Sequence, residues 1–263
     1  MDDPSAIVAS GYDAFYGSWG TSPTLLAIWR KNVTGDFPEQ FAHISFVRLA
    51  DLQSLRDGLN LSPGTLLVDL ACGAGGPGLW TAETSGAQLV GVDLSAAGIE
   101  QAAATAATLG MADRATFSRG SFERTGLSTG AADGAMSVDA LQYAPDKARA
   151  FAEVARILRP GGTLAFVAFE LAADRVSGLP VWHDPVPDYR PVLERAGFGV
   201  QTYRQLEGWR ERVTAAFESV IANREALEAE LGEGAAQVLI LEASITLEIQ
   251  PYCGHAFAVA RRL

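Results

Sequence analysis

The stretch "LLVDLACGAGGPGLW", residues 66–80, constrains this chain more than any other. An apolar run that ends in clustered glycines and leads into "GPGLW" reads as a strand turning sharply into a helix. Gly73, Gly75 and Gly78 complete the spacing G-x-G-x-x-G. Glycine permits the positive φ that such a turn requires and lets a ligand approach the backbone closely. The stretch therefore predicts a βαβ unit with a binding site beyond the carboxyl end of its first strand.

The rest of the chain agrees with that start. The apolar runs "TLLVDLA", "AQLVGVDL", "ATFSRGSF", "GAMSVDAL" and "TLAFVAFE" read as buried strands, separated by helical stretches such as "SAAGIEQAAATAATLG" and "DKARAFAEVARILRP". "DYRPVLERAG" adds a helix, "FGVQTYRQL" a sixth strand and "HAFAVARR" a last one. The expected fold class is α/β: a doubly wound, mostly parallel, seven-stranded, Rossmann-like sheet. Residues 1–60 read as a helical cap, with "SPTLLAIW" (Ser22 as cap, Pro23 as first helical residue) and "EQFAHISFVRLADLQSLRDGL" as its helices. Residues 61–206 form the cofactor-binding core. Two helical segments over 209–231 and 233–247 make 207–248 a helical insertion before the last strand, 249–263, all within one domain spanning 1–263. That insertion serves as a lid over the site or as a subunit interface, which would make the chain a homo-oligomer.

With 48% hydrophobic and 19% charged residues, the 263-residue chain has ample apolar surface to bury. A formal net charge of −11 without a Lys/Arg run excludes a nucleic-acid partner. No segment reaches the ~18 to 20 apolar residues of a membrane span, and "MDDPSAIVAS" lacks the apolar core of a signal peptide. A cytoplasmic protein with free thiols at Cys72 and Cys253 is the expectation.

The glycines alone do not choose the ligand. A dinucleotide would place its pyrophosphate on the helix N-terminus, where Asp69, four residues before Gly73, adds repulsion. A cofactor with a free ammonium gains from the same acid. Asp93, in "VGVDLS", fits a ribose in either case. An NAD-dependent oxidoreductase is thus the alternative that the fingerprint permits and Asp69 disfavours.

"VDLACGAG", "GVDLS", "DGAMSVDALQYAPD" and "VARILRPGGTLAF" occur in the order of four motifs of the class I S-adenosylmethionine-dependent methyltransferases, which the sequence resembles over residues 66–170. Small-molecule, natural-product members are the most similar. One departure is that Ala71 stands where the family writes the first glycine of Gly-x-Gly-x-Gly, before Gly73 and Gly75. The resemblance implies S-adenosyl-L-methionine as cofactor and methyl transfer to a small molecule as activity. It implies Asp69, Ala71, Gly73 and Gly75 near the aminoacyl end, and Asp93 with Leu94 at the ribose. Ser121 and Phe122 would lie beside the adenine, and Ser137, Val138 and Asp139 would line the methyl-transfer face. "YDAFYGSW" resembles the stretch that closes over the cofactor, giving Tyr12 and Tyr16 as contacts.

For the acceptor, the aromatics Trp19, Trp182, Tyr189 and Trp209 suggest an apolar pocket in which ring faces would shelter a cation. Methylation at O or N would use His183, Tyr143 or Asp139 to position the atom. Methylation at carbon, as of an isoprenyl diphosphate, would use Glu170 as base, with arginines among Arg190, Arg204, Arg210 and Arg212 on the diphosphate. A fold that binds the cofactor without transferring methyl is a further reading. "GLSTG", residues 126–130, matches G-x-S-x-G but lies in a polar loop that leads into a strand, so it is no nucleophile elbow. His43, His183 and His255 show no ligand spacing, so no metal is expected. His43, in "FAHISF", reads equally as a packed, hydrogen-bonded helix residue or as a site residue.

Overall fold

The structure is a computed structural model and describes residues 13, 17, 20, 22–172 and 185–263. The strands are β1 (Leu66–Leu70), β2 (Gln88–Asp93), β3 (Ala115–Arg119), β4 (Ala132–Val138), β5 (Leu158–Leu171), β6 (Phe198–Gln205) and β7 (Cys253–Arg262). They lie in the order β3-β2-β1-β4-β5-β7-β6, with β7 antiparallel to both its neighbours. The order reverses between β1 and β4, which is where a doubly wound sheet opens a crevice for a ligand.

Helices cover both faces of the sheet. α1 (Pro23–Trp29), α2 (Leu49–Leu59), α3 (Gly76–Ser85), α4 (Ala96–Thr108) and the insertion helices α7 (Trp209–Ala222), α8 (Arg224–Leu231) and α9 (Glu233–Ile249) contribute to one hydrophobic core. α5 (Lys147–Ile157) and α6 (Arg190–Arg195) contribute to the other. Because side chains alternate along a strand, Ala165 and Val167 of β5 enter the first core while Leu164, Phe166 and Ala168 enter the second. This alternation decides below which polar side chains can share a site.

The start of α1 matches its sequence signature: Ser22 Oγ accepts from the Leu25 N–H at 3.1 Å and Pro23 opens the helix. The same hydroxyl donates to Glu230 of α8 at 2.5 Å, so the cap and the insertion are tied together.

Two helices expected from periodicity are divided. Within 39–59, a single 3-10 turn at Glu39–Phe41 is followed by an irregular stretch, and α2 begins only at Leu49. Tertiary contacts claim the backbone groups a continuous helix would use. The Phe41 and Ala42 carbonyls press on Gly76, where an added Cβ would stand 2.4 and 2.7 Å from them. The Phe46 N–H is donated to Asp139 Oδ2 at 2.6 Å. His43 consequently lies in the irregular stretch, not in a helix. Within 209–231, Asn223 separates α7 from α8, and its side-chain amide donates back to the Ser219 carbonyl at 2.8 Å, competing with the helical ladder.

Candidate active site

The crevice between β1 and β4 is lined at its cofactor end by one continuous piece of chain. β1 runs into Ala71, Gly73 and Gly75 at φ 56°, 53° and 85°, and Gly75 is the N-cap of α3. Ala71 keeps the left-handed backbone expected of the family's glycine, although such a conformation costs an L-residue roughly 1–2 kcal/mol. Gly78 has a stricter reason to be glycine: a Cβ there would meet the Asp69 carboxylate at 2.3 Å. Asp69 is 2% exposed and accepts from the Gly78 N–H, so the first turn of α3 already carries an anion supplied by the protein.

Asp93, at the end of β2, accepts from the Gly73 N–H at 2.8 Å and the Ser95 N–H at 2.8 Å. Burial pushes both carboxyls up, and the proximity of Asp93 raises Asp69 further. Asp13 accepts from Ser95 Oγ at 2.6 Å and from the Ala97 N–H at 3.2 Å, which places that carboxylate at the same corner. The Leu94 carbonyl accepts from Arg119 Nε at 3.3 Å. Ser121 bridges to Arg124 just past β3, and half-buried Phe122 packs on the second core. Ser137 is buried and donates to the Leu70 carbonyl at 3.0 Å, tying β4 to β1.

This donor set selects its ligand. Two buried carboxylates facing a helix N-terminus that is already neutralised would repel a pyrophosphate. They suit an ammonium and ribose hydroxyls, so the residues present fit S-adenosylmethionine.

The acceptor end begins at Asp139, which follows β4 with φ 53°. Its Oδ2 accepts from the Phe46 N–H, and its Oδ1 lies 2.6 Å from Nε2 of His255 on β7. His255 is 0% exposed, its ring stacked flat on Phe169 with centroids 4.1 Å apart and planes 2° apart. Trp209 meets both rings edge-on, at 5.7 Å from Phe169 and 5.8 Å from His255. Phe46 packs against Phe169 at 5.8 Å and Phe217 at 5.3 Å, so cap, sheet and insertion share one aromatic cluster. Among the described residues, the buried Nδ1 of His255 has no hydrogen-bond partner. Nearby, His43 Nδ1 lies 2.7 Å from Ser45 Oγ, and burial pushes its pKa down to about 4.

Glu170 stands apart from this cluster. It follows Phe169 on β5, so strand alternation turns it to the other face. There it accepts from the Tyr203 hydroxyl at 2.5 Å and Gln205 Nε2 at 2.6 Å. Tyr189 also lies away from the aromatic cluster: it is fully buried in the second core between Phe151 and Phe166, its hydroxyl donating to the Phe169 carbonyl at 3.1 Å. Arg210 donates to the Gln250 and Cys253 carbonyls and so fastens α7 to the end of α9. Tyr143, 38% exposed, sits on the 3-10 turn Leu141–Tyr143. Tyr12, Tyr16, Trp19, Trp182 and His183 lie outside the described residues. Among the described residues there is no His/Cys/Asp/Glu group able to hold a metal ion, and no helix is long and apolar enough to cross a membrane.

Sequence spacing does not pair His255 with Asp139, 116 residues away. The available signal is that the period of two in "HAFAV" puts His255 on the core face with Phe257 and Val259. A polar residue at an inward position requires a partner.

Residues 68–166 match the Methyltransferase domain family. O-methyltransferase resE of Aspergillus sclerotiorum is 26% identical over 215 residues, 78% of either chain. Further curated methyltransferases match over 41% and 40% of their own lengths. The solved [4+2]-cyclase SpnF superposes with a TM-score of 0.78 at 21% identity, covering 97% of this chain and 94% of that one. Geranyl diphosphate C-methyltransferase of Streptomyces coelicolor A3(2) superposes at 0.68 and 18% identity over 99% of both chains. Motif, carboxylate pair and sheet order agree with these matches: residues 68–166 carry a methyltransferase domain with the fold and motif order of the class I S-adenosylmethionine-dependent enzymes.

Proposed function

We propose that this chain transfers methyl to a protic oxygen or nitrogen of a small, largely apolar molecule, and that the Asp139–His255 pair takes the proton. The observation that carries this reading is the 2.6 Å contact between His255 Nε2 and Asp139 Oδ1, with His255 Nδ1 left unpartnered inside the aromatic cluster. With Nε2–H donated to the carboxylate, Nδ1 bears the lone pair. A hydroxyl donating to Nδ1 loses its proton there, and Asp139 stabilises the imidazolium that results. The Phe46 N–H fixes the second carboxylate oxygen, so the base is oriented before the acceptor arrives. Bound against Asp69 and Asp93, S-adenosylmethionine supplies an electrophilic sulfonium methyl. The likeness to resE, an O-methyltransferase, supports the same acceptor chemistry.

Methylation at carbon has a supporting relative in the geranyl diphosphate enzyme. It is favoured less, because Glu170, the base it would use, is held by Tyr203 and Gln205 on the opposite face. SpnF is a [4+2]-cyclase, and turnover of the cofactor separates a cyclisation reading from both methylation readings.

The test is a screen of hydroxylated and aminated apolar compounds with methyl-labelled S-adenosylmethionine. Once an acceptor is found, His255→Asn and Asp139→Asn should each lower kcat by about 10²- to 10⁴-fold while S-adenosylhomocysteine still binds. A loss of turnover only in Glu170→Gln would transfer the role to that carboxylate. Bound cofactor with no methyl transfer to any acceptor would favour the cyclase-like reading.

A further inference from the structure

Arg212 sits one turn after Trp209 on α7 and is 9% exposed. Its Nη1 donates to the Glu207 carbonyl at 2.7 Å. Its Nη2 lies 3.5 Å from Asp51 Oδ2, and among the described residues neither Nη2 nor Nε has a hydrogen-bond partner. Asp51 is committed elsewhere: it accepts from the Arg48 N–H at 2.9 Å and from Arg48 Nε and Nη2 at 3.2 Å each. Arg212 therefore buries a cation whose nearest counter-charge is shared, a costly arrangement unless something completes it.

The two vacant groups form one edge of the planar guanidinium, and the parallel N–H pair of that edge matches the two oxygens of a carboxylate. The other arginines suspected from sequence are engaged: Arg210 on two carbonyls, Arg190 on Asp188 at 2.9 Å and Arg204 over the Phe257 ring at 4.3 Å. A single open fork suits one carboxylate, whereas a diphosphate draws on several cations.

The fork also stands beside the proton acceptor. Trp209, one turn earlier, touches His255, and Asp139 lies close enough to act on the Arg212 charge. Asp51 opens α2 directly after the segment whose Phe46 N–H holds Asp139.

We propose that the Nε/Nη2 edge of Arg212 binds a carboxylate carried by the acceptor, orienting it toward the Asp139–His255 pair. This assignment rests on the proton-accepting role proposed above for the Asp139–His255 pair.

The test is calorimetry on the full chain saturated with S-adenosylhomocysteine, titrated with matched acid and amide pairs: benzoate and benzamide, 2-hydroxybenzoate and 2-hydroxybenzamide, cinnamate and cinnamamide. At least one acid should bind about 10-fold tighter than its amide. Arg212→Lys keeps the charge but loses the fork; it should abolish that preference while leaving amide affinity unchanged, a split that general damage to the pocket would not produce. Asp51→Asn, which removes the competing anion, should tighten the acid about threefold or more, and it decides the matter if the lysine variant does not fold. No acid preference in any pair, a preference that survives Arg212→Lys, or unchanged acid binding in Asp51→Asn would each overturn the assignment. Acid preference without any methyl transfer would leave Arg212 as the anchor and remove the methylation reading. Methyl transfer without acid preference would do the reverse.

Discussion

Residues 69–95 supply Asp69, the glycine turn, Asp93 and Ser95 to the cofactor end, whereas the acceptor end gathers Phe46, Asp139, Trp209 and His255 from the cap, β4, the insertion and β7. The first is mostly backbone geometry and buried carboxylates on a rigid strand-turn-helix. The second is side chains brought together only when the whole chain has folded. A local site of this kind can stay the same while the distant segments around it change, so one fold can keep its cofactor and vary its acceptor.

The sharpest way to break the comparison is to damage the local end at one atom. Gly78→Ala places a methyl 2.3 Å from Asp69 Oδ2 and should destabilise the chain by roughly 3 kcal/mol, as other overpacked interiors do. Denaturant unfolding with S-adenosylhomocysteine titration should show stability and cofactor affinity falling together. Unchanged affinity would mean that the loop does not transmit to the cofactor.

A smaller effect probes the assembled end. The folded His43 ring is held down at about 4 against 6.5 unfolded, because burial disfavours its charged form. Its contribution is therefore complete above pH 6.5 and is lost as pH falls from 6.5 towards 4. The full difference corresponds to about 3 kcal/mol, which screening at a half-buried residue reduces to on the order of 1–2 kcal/mol. The raised carboxyls of Asp69 and Asp93 work in the opposite sense, gaining stability as pH falls, so the measurement is the difference between wild type and His43→Asn unfolding free energies across pH 4–7. A difference that does not change with pH would refute the assignment.

The smallest effect tests how far apart the two ends are. Ser22→Ala removes both the α1 cap and the link to Glu230, and should cost about 1 kcal/mol. Thermal unfolding should record it, with S-adenosylhomocysteine affinity unaltered. A loss of cofactor binding would show that the cap and the glycine loop act as one unit.

The sequence made the cofactor end legible for a physical reason. Periodicity, the glycine spacing and the acids at the ends of β1 and β2 are all short-range patterns, and the seven strands follow from the same reading. Ser22 and Pro23 were readable as a helix start because capping is a local interaction. What could not be read locally is what tertiary contact decided. The helix expected through 42–48 gave way to the Phe46–Asp139 bond, and Tyr189, aromatic and beside a loop, went to the core face opposite the aromatic cluster. Glu170 and Phe169 are neighbours in sequence, yet a period of two sends them to opposite sides of the sheet.

The amide of Phe46 has one further consequence. It is a main-chain group of the cap, and it holds the carboxylate that orients His255. No side-chain substitution at position 46 can delete that donor short of proline, while any displacement of residues 42–48 withdraws it. Under the role proposed for the Asp139–His255 pair, readiness for proton transfer is set by the position of a loop, and displacement of that loop alone would disarm the site with every side chain still present.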